Sequence, residues 1–432
     1  MRIREDCMSI SKLMAATALA ATAVAGGVSA QDLKIGASLP LTGVFSVSGT
    51  KHQQGYQLCV DMINENGGLL GRQVDLIMSD NRSDPATAIN QYERFVNVDQ
   101  VEAVFGTFSS RLTFPVANIL SRYGLAHVVP AGGALRIYAQ GHKNLFYFQP
   151  AAAELVGDSL KRTIEDLIPE AARPKTVAII RADDFFANGI NAGFVGATVR
   201  SPGSGDVVAD LSPGFIAELG MEIVFQEAWP EEGFNDWLNL ANAVRRANPE
   251  LIIVLSASAE EAVQVTRALQ TVRVNPKMLY ISQGTQAEFE EGTGAASNGI
   301  LIHTSWHKDV PFQSVLAGKE FSNADFVAAF EAKYNYTPDE DSAIPFAACQ
   351  GIEQAIRGAG STDNAKMIEW LQARTNDDPV RTVLGRFAWD EVGLPVDKAF
   401  IMTQWKDGDL QFVYPTDEFD GVSPIVYPKP EF

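Results

Sequence analysis

Cysteine is scarce: the 432 residues hold three, Cys7, Cys59 and Cys349, and none of their separations has the short spacing of a zinc or redox site. Basic residues are also in short supply, with 34 Lys and Arg against 53 Asp and Glu and a formal net charge of −19. A surface of that sign repels nucleic acid and anionic lipid. It leaves room for a small anion held by local dipoles, and most of the charge serves solubility. After the first thirty residues no apolar run approaches the roughly 20 residues that span a bilayer. Enzyme signatures are missing too. There is no Gly-x-x-x-x-Gly-Lys-Ser/Thr phosphate loop and no Gly-x-Ser-x-Gly nucleophile turn. Ser109-Ser110 has no identifiable base partner, and the plentiful carboxylates read as a solvated face. His303 and His307 flank Trp306 at the end of an expected strand, where their spacing holds the rings apart, and no His-Glu-x-x-His pattern accompanies them. The expectation is a protein that is not an enzyme and carries no cofactor and no metal.

What is present begins with an export signal. Arg2, Arg4 and Lys12 precede a short apolar stretch, Leu13 to Ala25, and Val28-Ser29-Ala30 supplies small residues at a cleavage position. Residues 1–30 therefore read as a signal peptide and Gln31 as the first mature residue, which places the protein in the periplasm or otherwise outside the cytoplasm. The segment carries three basic and two acidic groups, so the mature chain has net charge −20. In an oxidising compartment Cys59 and Cys349 either pair or remain two buried thiols; sequence leaves both open.

The mature chain alternates short β-rich runs with helical stretches. Strands are expected at Leu33–Leu39, Val74–Ser79, Val101–Phe105 and Ala126–Val129, with helices at 48–66, Ala86–Val98 and Pro115–Tyr123 between them. The pattern restarts with Leu155–Leu167 helical and strands at Thr176–Ile180, Glu222–Phe225, Leu251–Leu255, Met278–Ile281 and Gly299–His303. Helices from Phe185, at Trp237–Arg246 and at Ala259–Val272 are interleaved with them. Helices at Asn323–Tyr334, Ala343–Arg357 and Ala365–Ala373 follow. Short strands at Arg386–Trp389, Ala399–Trp405 and Leu410–Val413 close the chain. Parallel strands need crossover helices, so the reading is α/β with two doubly wound units. The breaker cluster Ser201-Pro202-Gly203-Ser204-Gly205 reads as a surface insertion.

Several runs carry a family likeness. Lys34-Ile35-Gly36 through Pro40-Leu41-Thr42-Gly43 and Ile63-Asn64-Glu65-Asn66-Gly67-Gly68-Leu69-Leu70-Gly71-Arg72 come first. Ser83-Asp84-Pro85, Val104-Phe105-Gly106 with Ser110, and Gly189 after Asp183-Asp184-Phe185-Phe186 follow. Asn248-Pro249-Glu250 and Thr382-Val383-Leu384-Gly385 with Trp389-Asp390 complete them. In order and spacing the set resembles the leucine/isoleucine/valine-binding family of periplasmic solute-binding proteins. The resemblance implies a type I periplasmic binding protein, two lobes joined by a three-crossover hinge. Lobe one would be residues 31–149 plus 306–384, and lobe two 150–305 plus 385–432. It also implies a monomer that binds a small molecule and hands it to the permease of an ABC transporter. An exported sensor that presents its bound state to a receptor is the alternative.

In an open α/β sheet ligands sit beyond the carboxyl ends of the strands. Two such ends nominate Ser109 and Ser110, between a strand and a helix, and Ala131, Gly132 and Gly133 after Pro130. A hydroxyl beside the free N–H groups of a helix start suits a carboxylate, although the same serines serve equally as helix caps. By resemblance Ser110 holds the ligand carboxylate, Ala131 offers its backbone, and Gly133 falls where the family has threonine. From lobe two, Phe186 falls where the family often has tyrosine, with core packing as the alternative. Gln283 falls where the family has the acid that pairs with an α-ammonium. An amide carries no charge, and Ala151-Ala152-Ala153 is apolar where the family is often polar. The expected ligand is therefore a carboxylate or amide without an α-ammonium, aromatic ones included, unless Glu154, Asp184 or another acid restores the charge. Trp306, at the second crossover, either stacks on a flat ligand or packs in the hinge.

Overall fold

A computed structural model describes residues 31–201, 204–419 and 421–432. The signal-peptide reading of residues 1–30 falls outside them, as do Pro202 and Gly203 of the breaker cluster. No helix among the described residues is long and apolar enough to cross a membrane.

The first unit runs β1 (Leu33–Leu39), α1 (Ser46–Glu65), β2 (Val74–Asp80), α2 (Pro85–Arg94), β3 (Ala103–Phe105), α3 (Ser110–Arg122), β4 (His127–Val129), α4 (Leu135–Tyr138) and β5 (Leu145–Tyr147). Strands β1, β3, β4 and β5 are almost wholly buried, as expected where helices cover both faces of a sheet, while the edge strand β2 buries only Val74 fully. They pair in parallel in the order β2-β1-β3-β4-β5.

The second unit runs α5 (Gly157–Leu167), β6 (Thr176–Ala182), α6 (Phe185–Val195), β7 (Thr198–Arg200), β8 (Val207–Asp210), α7 (Phe215–Glu218), β9 (Glu222–Trp229), α8 (Trp237–Ala247), β10 (Leu251–Leu255), α9 (Ala259–Thr271), β11 (Met278–Ile281), α10 (Ala287–Thr293) and β12 (Leu301–Thr304). The chain then adds β13 (Gln313–Leu316), β14 (Lys319–Ser322), α11 (Asn323–Tyr334), α12 (Glu340–Ala359), α13 (Asn364–Gln372), β15 (Val380–Thr382), β16 (Gly385–Phe387), β17 (Ile401–Lys406) and β18 (Asp409–Tyr414). The second sheet has the order β18-β17-β12-β11-β10-β6-β9, parallel except for the last two strands in sequence, which join antiparallel at one edge. β7 and β8 form a separate hairpin around the breaker cluster.

Each sheet has its own core. Ile179, Ile253, Leu279 and Phe194 anchor the second, and Ile35, Tyr56, Phe105 and Phe346 the first. α1 and α12 lie together on the first sheet, and Cys59 of α1 is disulfide-bonded to Cys349 of α12, with Cα atoms 6.4 Å apart. That resolves the alternative left open by sequence. Residues 385–396 depart from the expected division. The Trp389 indole donates to Tyr147 O at 2.7 Å, Gly393 O accepts from Tyr147 N at 3.0 Å, and Phe387 packs on Phe148. These contacts are with β5 of the first sheet, because the apolar Phe387 and Trp389 bury against its edge. The chain joins the second sheet only at β17.

Two expected helix starts are too late. α3 begins at Ser110, five residues before Pro115, and carries that proline inside it. α12 begins at Glu340, capped by Asp339, whose carboxylate accepts from Ser342 N. In both cases the polar first turn, Ser110-Arg111 or Glu340-Asp341, already belongs to the helix ahead of the proline or the small apolar run.

Candidate functional site

The two strand orders place their switch points opposite one another. In the first sheet the order reverses beside β1 and β3, so the loops after them, around Phe45 and Phe108, meet at the sheet's carboxyl edge; the two rings pack edge-on at 5.6 Å. In the second sheet it reverses between β6 and β10, and these strands deliver Phe186 and Ala257. Phe186 packs against the cluster of Phe45, Phe108, Leu112, Ala131 and Ala257, which closes the seam between units. Behind that seam lies a narrow cavity of about 40 Å³, walled from both units.

Ser109, Ser110, Ala131, Gly132, Phe186 and Gln283 all line this cavity. The serines do not spend their hydroxyls as caps: Ser109 makes no side-chain cap bond, and Ser110 Oγ accepts from Ala134 N at 3.3 Å. That bond ties the serine loop to the loop after β4. The first N–H groups of a helix have no intrahelical acceptor, so the start of α3 presents donors and positive dipole beside the Ser109 and Ser110 hydroxyls. The arrangement suits a carboxylate.

Two nominated residues stand elsewhere. Gly133 does not line the cavity; a Cβ there would sit 2.6 Å from Tyr147 Oη, so the phenol of Tyr147 occupies the room a threonine would need. Tyr147 lines the cavity in its place. Trp306 is buried in the first core, its indole donating to Asn323 Oδ1 at 2.5 Å and its ring edge-on to Phe326, so hinge packing is its role in this structure. Ala151, Ala152 and Ala153 are outside the wall, and Ala153 N donates to Gly133 O. Of the alternative acids, Glu154 accepts from Leu135 N at the start of α4, and Asp184 caps α6 through Phe186 N and Ala187 N. Neither reaches the cavity. His307 is likewise occupied, one ring nitrogen against Leu410 O and the other accepting from Asp309 N.

The residues missed by sequence reasoning include Tyr147, Gln149, His303, Glu340, Asp341 and Ile344, besides Phe108, Ala257 and Ser282 at strand ends. Glu340 and Asp341 form the extra first turn of α12. A proline followed by an acidic cap and two more acids, Pro338-Asp339-Glu340-Asp341, is the helix-start signal that would have found them. Glu340 Oε1 accepts from Ser305 N at 2.5 Å, and burial raises its pKa to about 8. Asp341 is raised to about 6, by burial first and the neighbouring Asp339 charge second. Its Oδ2 accepts from the Gln286 amide at 2.6 Å and the Gln283 amide at 3.3 Å. His303 binds the Tyr280 hydroxyl at 2.7 Å through Nδ1, and burial lowers its pKa to about 3.

Both flanks of the cavity are bridged. On one, Arg111 of α3 meets Glu231 and Glu232, which follow β9, at 3.2 and 3.0 Å. On the other, Lys51 of α1 meets Glu288 of α10 at 3.1 Å and Asp339 at 3.4 Å. With Gln283 and Gln286 reaching Asp341, these contacts hold the two units closed over the cavity.

Titration of the buried groups sets the pH range of stability. Glu340, at about 8, and Asp184, at about 7 through burial, keep protons that the unfolded chain releases. Stability is therefore lost as pH rises from their ordinary carboxylate values through 7 and 8. His52, His127 and His303, all lowered to about 3 by burial, act oppositely, and stability falls as pH drops from 6.5 toward 3. Scanning calorimetry of the ligand-free protein should place the highest Tm between pH 4.5 and 6.5. A Tm that climbs between pH 6.5 and 8 would contradict this assignment.

Two sheets presenting their carboxyl edges to one shared cavity, with cross-contacts on either flank, define the two-lobed architecture of a binding protein. The chain belongs to the periplasmic binding protein family, whose model matches residues 32–409. Among curated relatives, a Leu/Ile/Val-binding protein homolog of Brucella abortus is 23% identical over 406 residues, covering 92% of this chain and 96% of that protein. Among solved structures, a branched-chain amino acid transporter substrate-binding protein of Streptococcus pneumoniae in complex with isoleucine superposes with TM-score 0.73 at 20% identity, covering 89% of this chain and all of that one. A solute-binding protein of an ABC transporter from R. palustris in complex with benzoate superposes with TM-score 0.72 at 18% identity, covering 93% and 97%. At such identities the structural likeness speaks to the fold.

Proposed function

We propose that this chain is the exported substrate-binding component of an ABC-type uptake system and that it encloses a small organic carboxylate with an apolar or aromatic body. The lobe-one wall grips the carboxylate, and the closed form docks on the membrane permease. The supporting observation is the position of Ser109 and Ser110: hydroxyls free of capping duty, at a helix start, in the wall of a cavity that both sheets share. Phe108, Phe186, Ala257 and Ile344 supply an apolar surround for the rest of the molecule. Contacts to both lobes at once make the closed form the favoured one when ligand is present.

Native mass spectrometry of the protein as purified is expected to identify a co-purifying small carboxylate. Calorimetry on Ser110→Ala should then show affinity for that molecule weakened by about 1–3 kcal/mol, the loss of a hydrogen bond to a charged group. Unchanged affinity would remove Ser110 from the site.

A further inference from the structure

The first turn of α6 serves both units. Asp184 fixes its backbone by accepting from Phe186 N and Ala187 N. From that turn Phe186 lines the ligand cavity, while Phe185 leaves its own unit and packs on the first unit's cluster of Val129, Ala134, Ile137 and Tyr138. There its ring centre lies 5.1 Å from that of Phe114 on α3, and the Arg136 guanidinium of α4 stands 5.9 Å from it. On the same flank Arg111 of α3 reaches Glu231 and Glu232 of the second unit. None of Phe114, Phe185, Arg111 and Arg136 lines the ligand cavity. Phe185, Arg111, Arg136 and Glu231 instead wall a separate side cavity of about 450 Å³. The opposite flank is bound differently. Lys51 keeps Asp339 and the Tyr336 ring, 4.2 Å away, on its own side of the seam, so Glu288 is its partner across it.

We propose that the first of these flanks is a latch built from the protein alone: Phe185, seated against Phe114 and Arg136, holds the two units shut and so keeps Phe186 over the cavity, whatever the ligand. Phe185 is a positioning residue, acting through its neighbour Phe186 and through closure rather than by contact. The inference stands apart from the ligand class proposed above. Magnitudes rank the contacts. Burial raises the pKa of Glu231 more than Arg111 lowers it, so desolvation takes back much of what that ion pair gives. The Glu232 side chain is 66% exposed, and solvent screens its pairing with Arg111. Lys51 gives up only Glu288 when the units part and keeps Asp339 and Tyr336. Returning the Phe185 ring to water costs more than any of these, because it loses apolar burial, an aromatic contact and a cation–π contact together. Phe185 therefore carries the larger share, and no ligand is needed for it to do so. The ligand-free protein rests mainly closed.

The test is X-ray scattering of the protein dialysed until native mass spectrometry finds no bound small molecule, with each curve fitted as a mixture of closed and open forms. The wild type is expected to be mainly closed. Phe185→Ala and, from the other side of the contact, Phe114→Ala should each lower the closed-to-open ratio about 10-fold. Arg111→Met should lower it about 2- to 5-fold, the range of an ion pair at a partly exposed rim, and about 1 M salt should do the same to the wild type. Glu288→Gln, on the opposite flank, should lower it less than Phe185→Ala does. Phe185→Leu, which keeps an apolar body, should restore most of the closed form. Circular dichroism checks folding, and the denaturant midpoint separates a latch from a merely structural residue, whose loss would lower the midpoint and leave the ratio unmoved. A wild type that is open without ligand, or a ratio that neither Phe185→Ala nor Phe114→Ala changes in folded protein, would overturn the inference. The carboxylate site stands in either case, since none of these residues lines it.

Discussion

Replacing Cys59 and Cys349 together by alanine should lower the unfolding free energy by about 2–5 kcal/mol, the range for removing a native disulfide. The two residues are 290 apart in sequence, yet their helices α1 and α12 lie together on the first sheet. A link of that span removes much of the freedom of the unfolded chain. Because the entropy term grows only logarithmically with loop length, the enormous loop adds little beyond what a hundred residues would give. Both sulfurs are buried, so the alanines also leave small voids, and that packing loss adds to the chain entropy. The consequence reaches the ligand site because α1 carries Lys51 and α12 carries Glu340 and Asp341 in its first turn. Denaturant titration followed by circular dichroism, wild type against double variant, measures the effect. Thiol titration of the unfolded wild type should find Cys59 and Cys349 unreactive until a reductant is added. An unchanged midpoint, or two freely reactive thiols, would show that the bond does not form.

The second large effect is expected from Gly193→Ala. In an open helix that change stabilises, since alanine loses less backbone freedom on folding than glycine. Here the sign reverses. A Cβ on Gly193 would lie 1.8 Å from the carbonyl oxygen of Glu154, a backbone atom that no rotamer change can move aside. α6 packs so closely on the 153–155 turn that only glycine fits. The variant must push the helix outward, and overpacking of this kind costs about 3 kcal/mol. α6 also begins beside Phe186, so the displacement should weaken ligand affinity along with stability. Denaturant midpoints and calorimetry on one preparation report both quantities. A variant as stable as wild type would mean that the contact between α6 and the turn is looser than the structure has it.

Much of the architecture was legible because apolar runs of strand length alternating with helical periodicity leave few alternatives. The strands at Leu33–Leu39, Leu251–Leu255 and Met278–Ile281 and the helix Asn323–Tyr334 stand where the pattern puts them. Leu145–Tyr147, only three residues long, was passed over, although it is the strand that carries Tyr147 into the site. The site was half legible. Ser109, Ser110, Ala131, Gly132, Phe186 and Gln283 follow strands, and strand ends converge by topology alone. Glu340 and Asp341 were hidden because they begin a helix rather than follow a strand.

By itself the sequence determined the class of fold, two α/β units in one chain, because hydrophobic period and turn residues are local properties of the polymer. Only the tertiary structure decided that Cys59 meets Cys349, that Tyr147 fills the space beside Gly133, that Trp306 belongs to a core, and that Glu340 faces the cavity beside Gln283. Each of these depends on residues tens to hundreds of positions apart arriving at one place. That arrival is governed by how helices pack across sheets, and no local pattern records it.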